Sequence, residues 1–129
     1  MQKALLALLC AIVLISTSSC AAVVLGAGAG AGAFTYVKGE LVRSYPATYA
    51  KAVSVTNAVI NELKISIDSK VDDGITTTFN GRRAGDKPVT IKVTMLDPKI
   101  TQIGIRVGYV GVWDRQISET IHSHIQERL

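Results

Sequence analysis

The chain has 129 residues, a formal net charge of +4, 48% hydrophobic residues and 19% charged residues. This length is enough for one compact domain with its own hydrophobic core. The basic residues are scattered and no block of five or more like charges occurs, which argues against a nucleic-acid-binding protein.

The N-terminal segment is typical of a bacterial lipoprotein signal, which is removed from the mature protein. Lys3 is followed by the uncharged apolar residues 4–15, and Ser18 and Ser19 are small residues directly before Cys20. Thr17 departs from the Leu that is usual three residues before such a cysteine. The sequence predicts cleavage after residue 19 and lipid attachment to Cys20.

Cysteine usage agrees with that prediction. Cys10 lies within the segment that would be discarded, so Cys20 would be the only thiol of the mature chain. A lone thiol is a hazard in an oxidising compartment, whereas an acylated one is not. Two alternatives stay open: ordinary secretion with cleavage near Ala21 or Ala22, and an uncleaved spanning anchor. Residues 4–32 carry no charge and are long enough for an anchor, but the Ser/Thr cluster at 16–19 interrupts them.

Residues 26–32 alternate glycine and alanine and favour a flexible spacer. The same stretch mimics a dinucleotide-binding glycine motif, which requires a following helix within a βαβ unit that is not predicted here. Its glycines four residues apart could also let helices pack closely in a membrane. We therefore expect residues 1–19 to be signal peptide, 20–33 to be an acylated linker and 34–129 to be the folded domain.

The folded part begins with a predicted strand at residues 35–45, with Gly39 marking a bend or bulge. Pro46 suits the first turn of a helix, and residues 46–63 carry apolar side chains at helical spacing.

Four more strands are predicted by alternating apolar and polar residues. They cover residues 65–71, 75–84, 89–95 and 103–107, with turns at 72–74, 85–88 and 97–99. In the first of them Ile65, Ile67, Ser69 and Val71 alternate with Ser66, Asp68 and Lys70, which predicts a half-buried strand. Asn80-Gly81 could form a hairpin turn, but a bulge is preferred because the better turn follows at 85–88.

Asp114 is a good helix N-cap, and an apolar residue then recurs every fourth position in a stripe. The stripe consists of Ile117, Ile121, Ile125 and Leu129. The predicted fold class is α+β, a two-layer structure with an antiparallel-rich sheet of about five strands and two helices packed on one face.

The domain resembles the bacterial lipoprotein family catalogued as domain of unknown function 3568, over roughly residues 34–129. The resemblance is carried by residues 36–41, 81–84, 89–92, 101–108 and by Gly111, Ser118, Ile121 and Ile125. The most specific part is 105–108 leading into the last helix, although Val112 and Trp113 stand between Gly111 and Asp114, where the family pattern differs. The resemblance implies an acylated envelope protein and supplies no catalytic residues.

No catalytic constellation is predicted. His122 and His124 are two apart on a helix and point to different sides, so surface positions are expected for both. Asp68, Asp72 and Asp73 lack the loop pattern of a calcium site and are expected to be turn and surface carboxylates. No metal and no cofactor are expected.

Arg82, Arg83, Lys92 and Arg106 could gather on the open face of the sheet and attract phosphate headgroups or acidic glycans. A solvated strand surface is the plainer interpretation. Trp113 could be an exposed binding aromatic, or it could pack between the last helix and the sheet.

The sequence therefore predicts a non-enzymatic envelope lipoprotein, anchored in the bilayer through Cys20 and facing the periplasm. Ala21 is compatible with transport to an outer membrane rather than retention in the inner one. Its partner would be another envelope protein or a glycan, and not nucleic acid. The alternatives are a small periplasmic enzyme and an oligomeric component built through the Gly/Ala segment.

Overall fold

The computed structural model of the protein describes residues 1–10 and 34–129. The fold is α+β, as predicted. In the described residues three helices and seven strands occur, where two helices and about five strands were expected. In chain order they are α1 (residues 2–10), β1 (Thr35–Val37), β2 (Glu40–Tyr45), α2 (Tyr49–Glu62), β3 (Ser66–Asp72), β4 (Thr76–Arg83), β5 (Lys87–Asp97), β6 (Ile100–Tyr109), β7 (Val112–Trp113) and α3 (Arg115–Arg128).

Cys20 and the Gly/Ala stretch at 26–32 lie outside the described residues. None of the helices in the described ranges combines the length and the apolar character needed to cross a bilayer.

The strands form one antiparallel sheet in the order β1-β2-β6-β5-β4-β3, with β7 paired to β6. Both α2 and α3 lie on the same side of this sheet, where α2 contacts β5 and β6 and α3 contacts β6 and β2. The expected two-layer arrangement is therefore present, with neither α2 nor α3 on the other side of the sheet.

The core lies between the sheet and these two helices, and the alternation of the central strands creates it. Val89, Ile91 and Val93 of β5 are buried and pair across the sheet with Val107, Ile105 and Ile103 of β6. The helices contribute buried side chains from their facing stripes: Ala52, Val59, Ile60, Ile121 and Ile125. The strand predictions at 89–95 and 103–107 are confirmed.

The predicted first strand is in fact a hairpin. Lys38 and Gly39 both have positive φ, 50° and 78°, so the chain reverses there and Val37 pairs with Glu40. Gly39 is thus a turn residue rather than a bulge within one strand. Together with the short β7, this hairpin accounts for the additional strands.

Helix α2 begins later than predicted. Thr48 is the N-cap and its side-chain oxygen accepts a hydrogen bond from the Lys51 N–H at 3.3 Å. A threonine hydroxyl satisfies one of the free N–H groups of the first turn. The cap therefore places Pro46 before the helix rather than in its first turn.

The expectation that strand β3 is half-buried is wrong. All of its residues are exposed, with Ile67 at 36% and Val71 at 61%. It is the last strand of the sheet, whereas α2 and α3 pack mainly on β2, β5 and β6. The register shift between Ile67 and Ser69 places Ile67 opposite Gly81 but Val71 opposite Thr78, so these apolar side chains lie on opposite faces of the sheet, which alternation alone could not show.

Strand β4 runs straight through Asn80 and Gly81, which pair with Thr90 and Val89 of β5. The hairpin alternative at that dipeptide is therefore wrong. The pairing register does shift opposite Asn80 and Gly81, but the extra residue lies in the neighbouring β3, between Ile67 and Ser69.

The C-terminal helix follows the prediction. The Asp114 side chain accepts a hydrogen bond from the Ile117 N–H at 3.1 Å and caps the helix. Ile121 and Ile125 are fully buried, while Ile117 and Leu129 pack against the edge of the core.

Of the described residues, the buried apolar core draws only on residues from Leu41 onward, and Phe34 packs against His122 at 5.1 Å between ring centroids. We expect a chain beginning at residue 34 to fold alone and to unfold in one cooperative transition. A chain beginning at residue 38 loses β1 and Phe34 and should melt at a lower temperature. Thermal unfolding followed by circular dichroism checks both, and an unfolded 34–129 chain would contradict the assigned boundary.

Candidate functional site

The sheet face opposite α2 and α3, here called the outer face, carries three of the four predicted surface cations. Arg82, Lys92 and Arg106 alternate along their strands with buried residues, so they point away from the helices. Arg83 is the next residue after Arg82 and lies on the helix side instead. The structure therefore does not bring all four cations together.

Most of the positive charge on the outer face is paired. Arg82 lies 2.8 Å from Asp86 and 3.4 Å from Asp68, and these carboxylates, Asp86 foremost, raise the pKa of its guanidinium. Arg106 lies 3.5 Å from Glu40. Among the described residues Lys92 has no carboxylate within the 4 Å of an ion pair. The face is thus less cationic than the predicted cluster of arginines and lysine.

A row of polar side chains crosses the outer face from β3 to β2. Asn80 donates to Ser69 at 3.3 Å and accepts from Thr90 at 3.1 Å, and Thr90 is the register partner of Arg106. The Arg106–Glu40 ion pair ends the row. Uncharged hydroxyl and amide groups therefore make up most of it, which suits hydrogen bonding to a neutral polar surface better than to phosphate.

Trp113 lies at one end of the outer face and is half-buried. It is the register partner of Gly108, and the Arg106 guanidinium stands 5.3 Å from its ring centroid. Its indole fills the space above Gly39, where any added Cβ would overlap it. Trp113 thus packs against Arg106 and the β1–β2 turn, and not under the last helix as one alternative had it.

Arg83 lines a small cavity between the helices and the sheet. The cavity has a volume of about 130 Å³ and is lined by Leu63, Ile65, Arg83, Ile117, Thr120 and Ile121. Small-molecule sites usually occupy about 300–1,000 Å³. This cavity is too small for such a ligand and has a single charged side chain in its lining.

His122 is fully buried, which corrects the expectation that it lies on the surface. Its Nδ1 lies 2.7 Å from the Tyr45 hydroxyl and its Nε2 lies 2.8 Å from the Leu41 carbonyl oxygen. A carbonyl can only accept, so Nε2–H donates to Leu41 and Nδ1 accepts from Tyr45. Burial lowers the pKa of His122 to about 4 and raises that of Tyr45 to about 12.

Arg43 completes this cluster from the neighbouring position of β2. It is 8% exposed, donates from Nη1 to the Gln126 side-chain oxygen at 2.7 Å, and stands about equally close to the rings of Phe34 and Tyr45. This cluster was not predicted from the sequence, although Arg43 alternates with Leu41 and Tyr45 and so shares their face. Because its histidine and tyrosine are sealed from water, the cluster joins β2 to α3 rather than reaching a substrate.

The remaining candidate ligands are separate. His124 is half-exposed beside Glu62, whereas Asp72 and Asp73 accept backbone N–H groups of their own turn. In residues 1–10 and 34–129 no three His, Cys, Asp or Glu side chains are grouped to hold a metal ion.

The packing of Trp113 on Gly39 can be tested with a matched pair of glycines. Gly39 and Gly85 have nearly equal φ, 78° and 80°, but a Cβ at Gly85 meets open space. We expect Gly85→Ala to cost about 1–2 kcal/mol from backbone strain alone, and Gly39→Ala to cost more and to shift the emission of Trp113, the only tryptophan. Denaturant unfolding measures the cost; equal costs with unchanged emission would show that the contact is unimportant.

The depressed pKa of His122 makes stability depend on pH. The unfolded chain, with a histidine pKa near 6.5, binds the proton more readily than the folded chain, so stability falls as pH drops from about 6.5 towards 4. The slope is at most about 1.4 kcal/mol per pH unit. Unfolding free energies between pH 7 and 5 should show it in the wild type and in His124→Gln, but not in His122→Gln. A wild-type profile that is flat over this range would contradict the assignment.

Comparison with known proteins gives a family and no activity. No curated protein matches the chain. Residues 3–128 match the family described as "Protein of unknown function (DUF3568)", and this match includes the N-terminal segment as well as every strand of the sheet. The match covers nearly the whole sequence, and the chain therefore belongs to the DUF3568 family.

Proposed function

We propose that the protein is a bacterial envelope lipoprotein, held on a membrane by an acylated Cys20, whose domain is a binding or accessory module rather than an enzyme. The domain faces the periplasm, from the outer membrane in preference to the inner one. Its partner is another envelope protein or a glycan.

The main support for the lipid anchor is the sequence of the segment before Cys20. A basic residue, an uncharged apolar run and two serines precede the cysteine, in the order that a lipoprotein signal requires. One acyl chain gives only reversible membrane binding, and stable anchoring needs at least two signals. The several chains of a mature lipoprotein would meet that requirement.

The described part of the N-terminal segment supports this proposal. Residues 2–10 are helical, and their leucines do not pack into the domain. Leu5, Leu6, Leu8 and Leu9 are all 63–67% exposed. A signal peptide acts in a membrane before the domain folds. We therefore expect it to be an apolar helix that the folded domain does not cover.

The state of the ionisable groups supports binding over catalysis. His122 and Tyr45 have the most strongly shifted pKa values, yet both are buried and hydrogen-bonded to each other. A catalytic acid or base must come within hydrogen-bond reach of its substrate. The accessible polar groups are instead the row from Ser69 to Arg106 on the outer face, flanked by Trp113. Such a row suits the amide and hydroxyl groups of a protein or a glycan.

The tether is tested by intact-mass analysis and membrane fractionation of the wild type beside Cys20→Ala. We expect the wild type to begin at Cys20, to carry acyl chains and to sediment with membranes. The variant should keep its N-terminal segment or appear in the soluble fraction, because the attachment atom is missing.

Cys10→Ala is the matched control. It also removes a thiol, but from the part that is discarded, so its mature mass and membrane retention should equal those of the wild type. A wild-type mass that still includes Met1 and no lipid would contradict the proposal and favour the uncleaved anchor.

A further inference from the structure

The β6–β7 hairpin carries its most exposed apolar side chains at its tip. Tyr109 is 57% exposed, Val110 90% and Val112 75%, and Gly111 completes the four residues, here called the apolar tip. Tight turns usually carry polar residues, glycine or proline. Two valines in water on either side of Gly111, at positions where a turn needs no apolar side chain, point to a surface that covers them.

The apolar tip is held in place. Gly108 pairs with Trp113 and Tyr109 with Val112, and the Tyr109 hydroxyl donates to the Asp86 carbonyl at 3.1 Å. The valines are therefore presented outward from a paired support, and their exposure does not come from a missing local structure.

Unpaired positive charge lies at the same end of the sheet as the tip. The β1–β2 turn and the α2–β3 connection lie at the same end of the sheet, since Glu40 pairs with Arg106 and Ser66 with Arg82. Lys38 and Lys64 in these connections are exposed. Within the described residues neither has a carboxylate at ion-pair distance.

The acidic side chains near the tip form ion pairs with basic ones. Asp86 is paired with Arg82 and Asp114 with Lys87. In addition, Lys38 and Lys64 have positive φ values of 50° and 55°. Glycine or asparagine would adopt this backbone at lower cost. The backbone conformation at these two positions disfavours lysine, so it does not explain why lysines occur there.

The opposite end of the sheet is more acidic. Asp72 and Asp97 end their strands there and Asp73 follows in a turn, whereas Lys99 lies in the other turn and Lys70 stands near Asp72. An anionic surface would attract the end with the apolar tip more strongly than the other end, which gives the domain one preferred orientation.

We propose that the apolar tip is a second membrane contact, which inserts Val110 and Val112 into the headgroup region of an anionic bilayer. Lys38 and Lys64 lie at the level of the lipid phosphates, and the tyrosine ring occupies the interface. This contact rests on the proposed function, because acylated Cys20 keeps the domain near lipid.

The tether is long enough for this contact. Thirteen residues lie between Cys20 and Phe34, and the 14 residue-to-residue steps span about 48 Å at full extension. A domain of this size is about 30 Å across. Attachment through lipid therefore leaves the tip free to reach the same membrane, and it raises the effective concentration of that surface.

The test places an environment-sensitive, thiol-reactive fluorophore on the tip of the full acylated protein. Val110→Cys is labelled and reconstituted into vesicles of phosphatidylglycerol and phosphatidylethanolamine, with spin-labelled lipid as quencher. Leu96→Cys is the matched control, because Leu96 is 55% exposed at the opposite end of the sheet.

We expect lipid quenching and a blue-shifted emission at position 110 and neither at position 96. In the 110-labelled protein, Lys38→Gln or Lys64→Gln should each lower the docked-to-free ratio about fivefold in anionic vesicles, and much less in neutral ones. Val112→Asp should lower it about tenfold or more. Both valines are exposed, so neither change threatens the fold.

Outcomes that overturn the proposal are equal quenching at 110 and 96, a label at 110 that stays in water, or shielding at 110 without vesicles. The last would indicate a protein partner or a second copy. Flotation of the vesicles and the intact mass report the tether separately. Should Cys20 prove unmodified, positions 110 and 96 are compared in a Cys20→Ala background with vesicles added. That comparison still tests whether the apolar tip contacts the membrane.

Discussion

Phe79, Ile91, Ile105 and Leu41 stand side by side on β4, β5, β6 and β2, and together they form a row of fully buried side chains across the sheet. Each such side chain contributes about 1.5–3 kcal/mol when it leaves water. Helices α2 and α3 cover them, and both lie on this side. The arrangement therefore fixes the orientation of the central strands and leaves the outer face in solvent.

The same constraint explains the buried polar cluster of Arg43, Tyr45 and His122. β2 brings Arg43 and Tyr45 to the buried side, between the sheet and α3, where unpaired polar groups are costly. His122 on α3 forms hydrogen bonds with Tyr45 and with the Leu41 carbonyl, and the Gln126 side chain accepts one from Arg43. These bonds tie the last helix to the strand next to the sheet edge, which apolar packing alone would position less specifically.

The outer surface divides into regions of different chemistry. The outer face is mainly neutral and polar because its arginines are paired with carboxylates, whereas the end with the apolar tip combines exposed valines with unpaired lysines. A lipid-tethered domain docked through that end would hold the outer face and Trp113 at the membrane surface, accessible from the side. The proposed anchor and the proposed tip would thus orient the polar row for its partner.

Local patterns in the sequence determined much of this structure, since alternation in β5 and β6, the Asp114 cap and the four-residue stripe of α3 depend on neighbouring residues. The segment before Cys20 is likewise a local pattern. Tertiary structure decided what depends on distant residues: that β3 is an exposed edge strand, that His122 is buried against β2, and that Arg83 faces the helices while Arg82 faces water. Burial, and the bonds between distant residues such as Tyr45 and His122, depend on which elements meet, and no local window of the chain contains both partners.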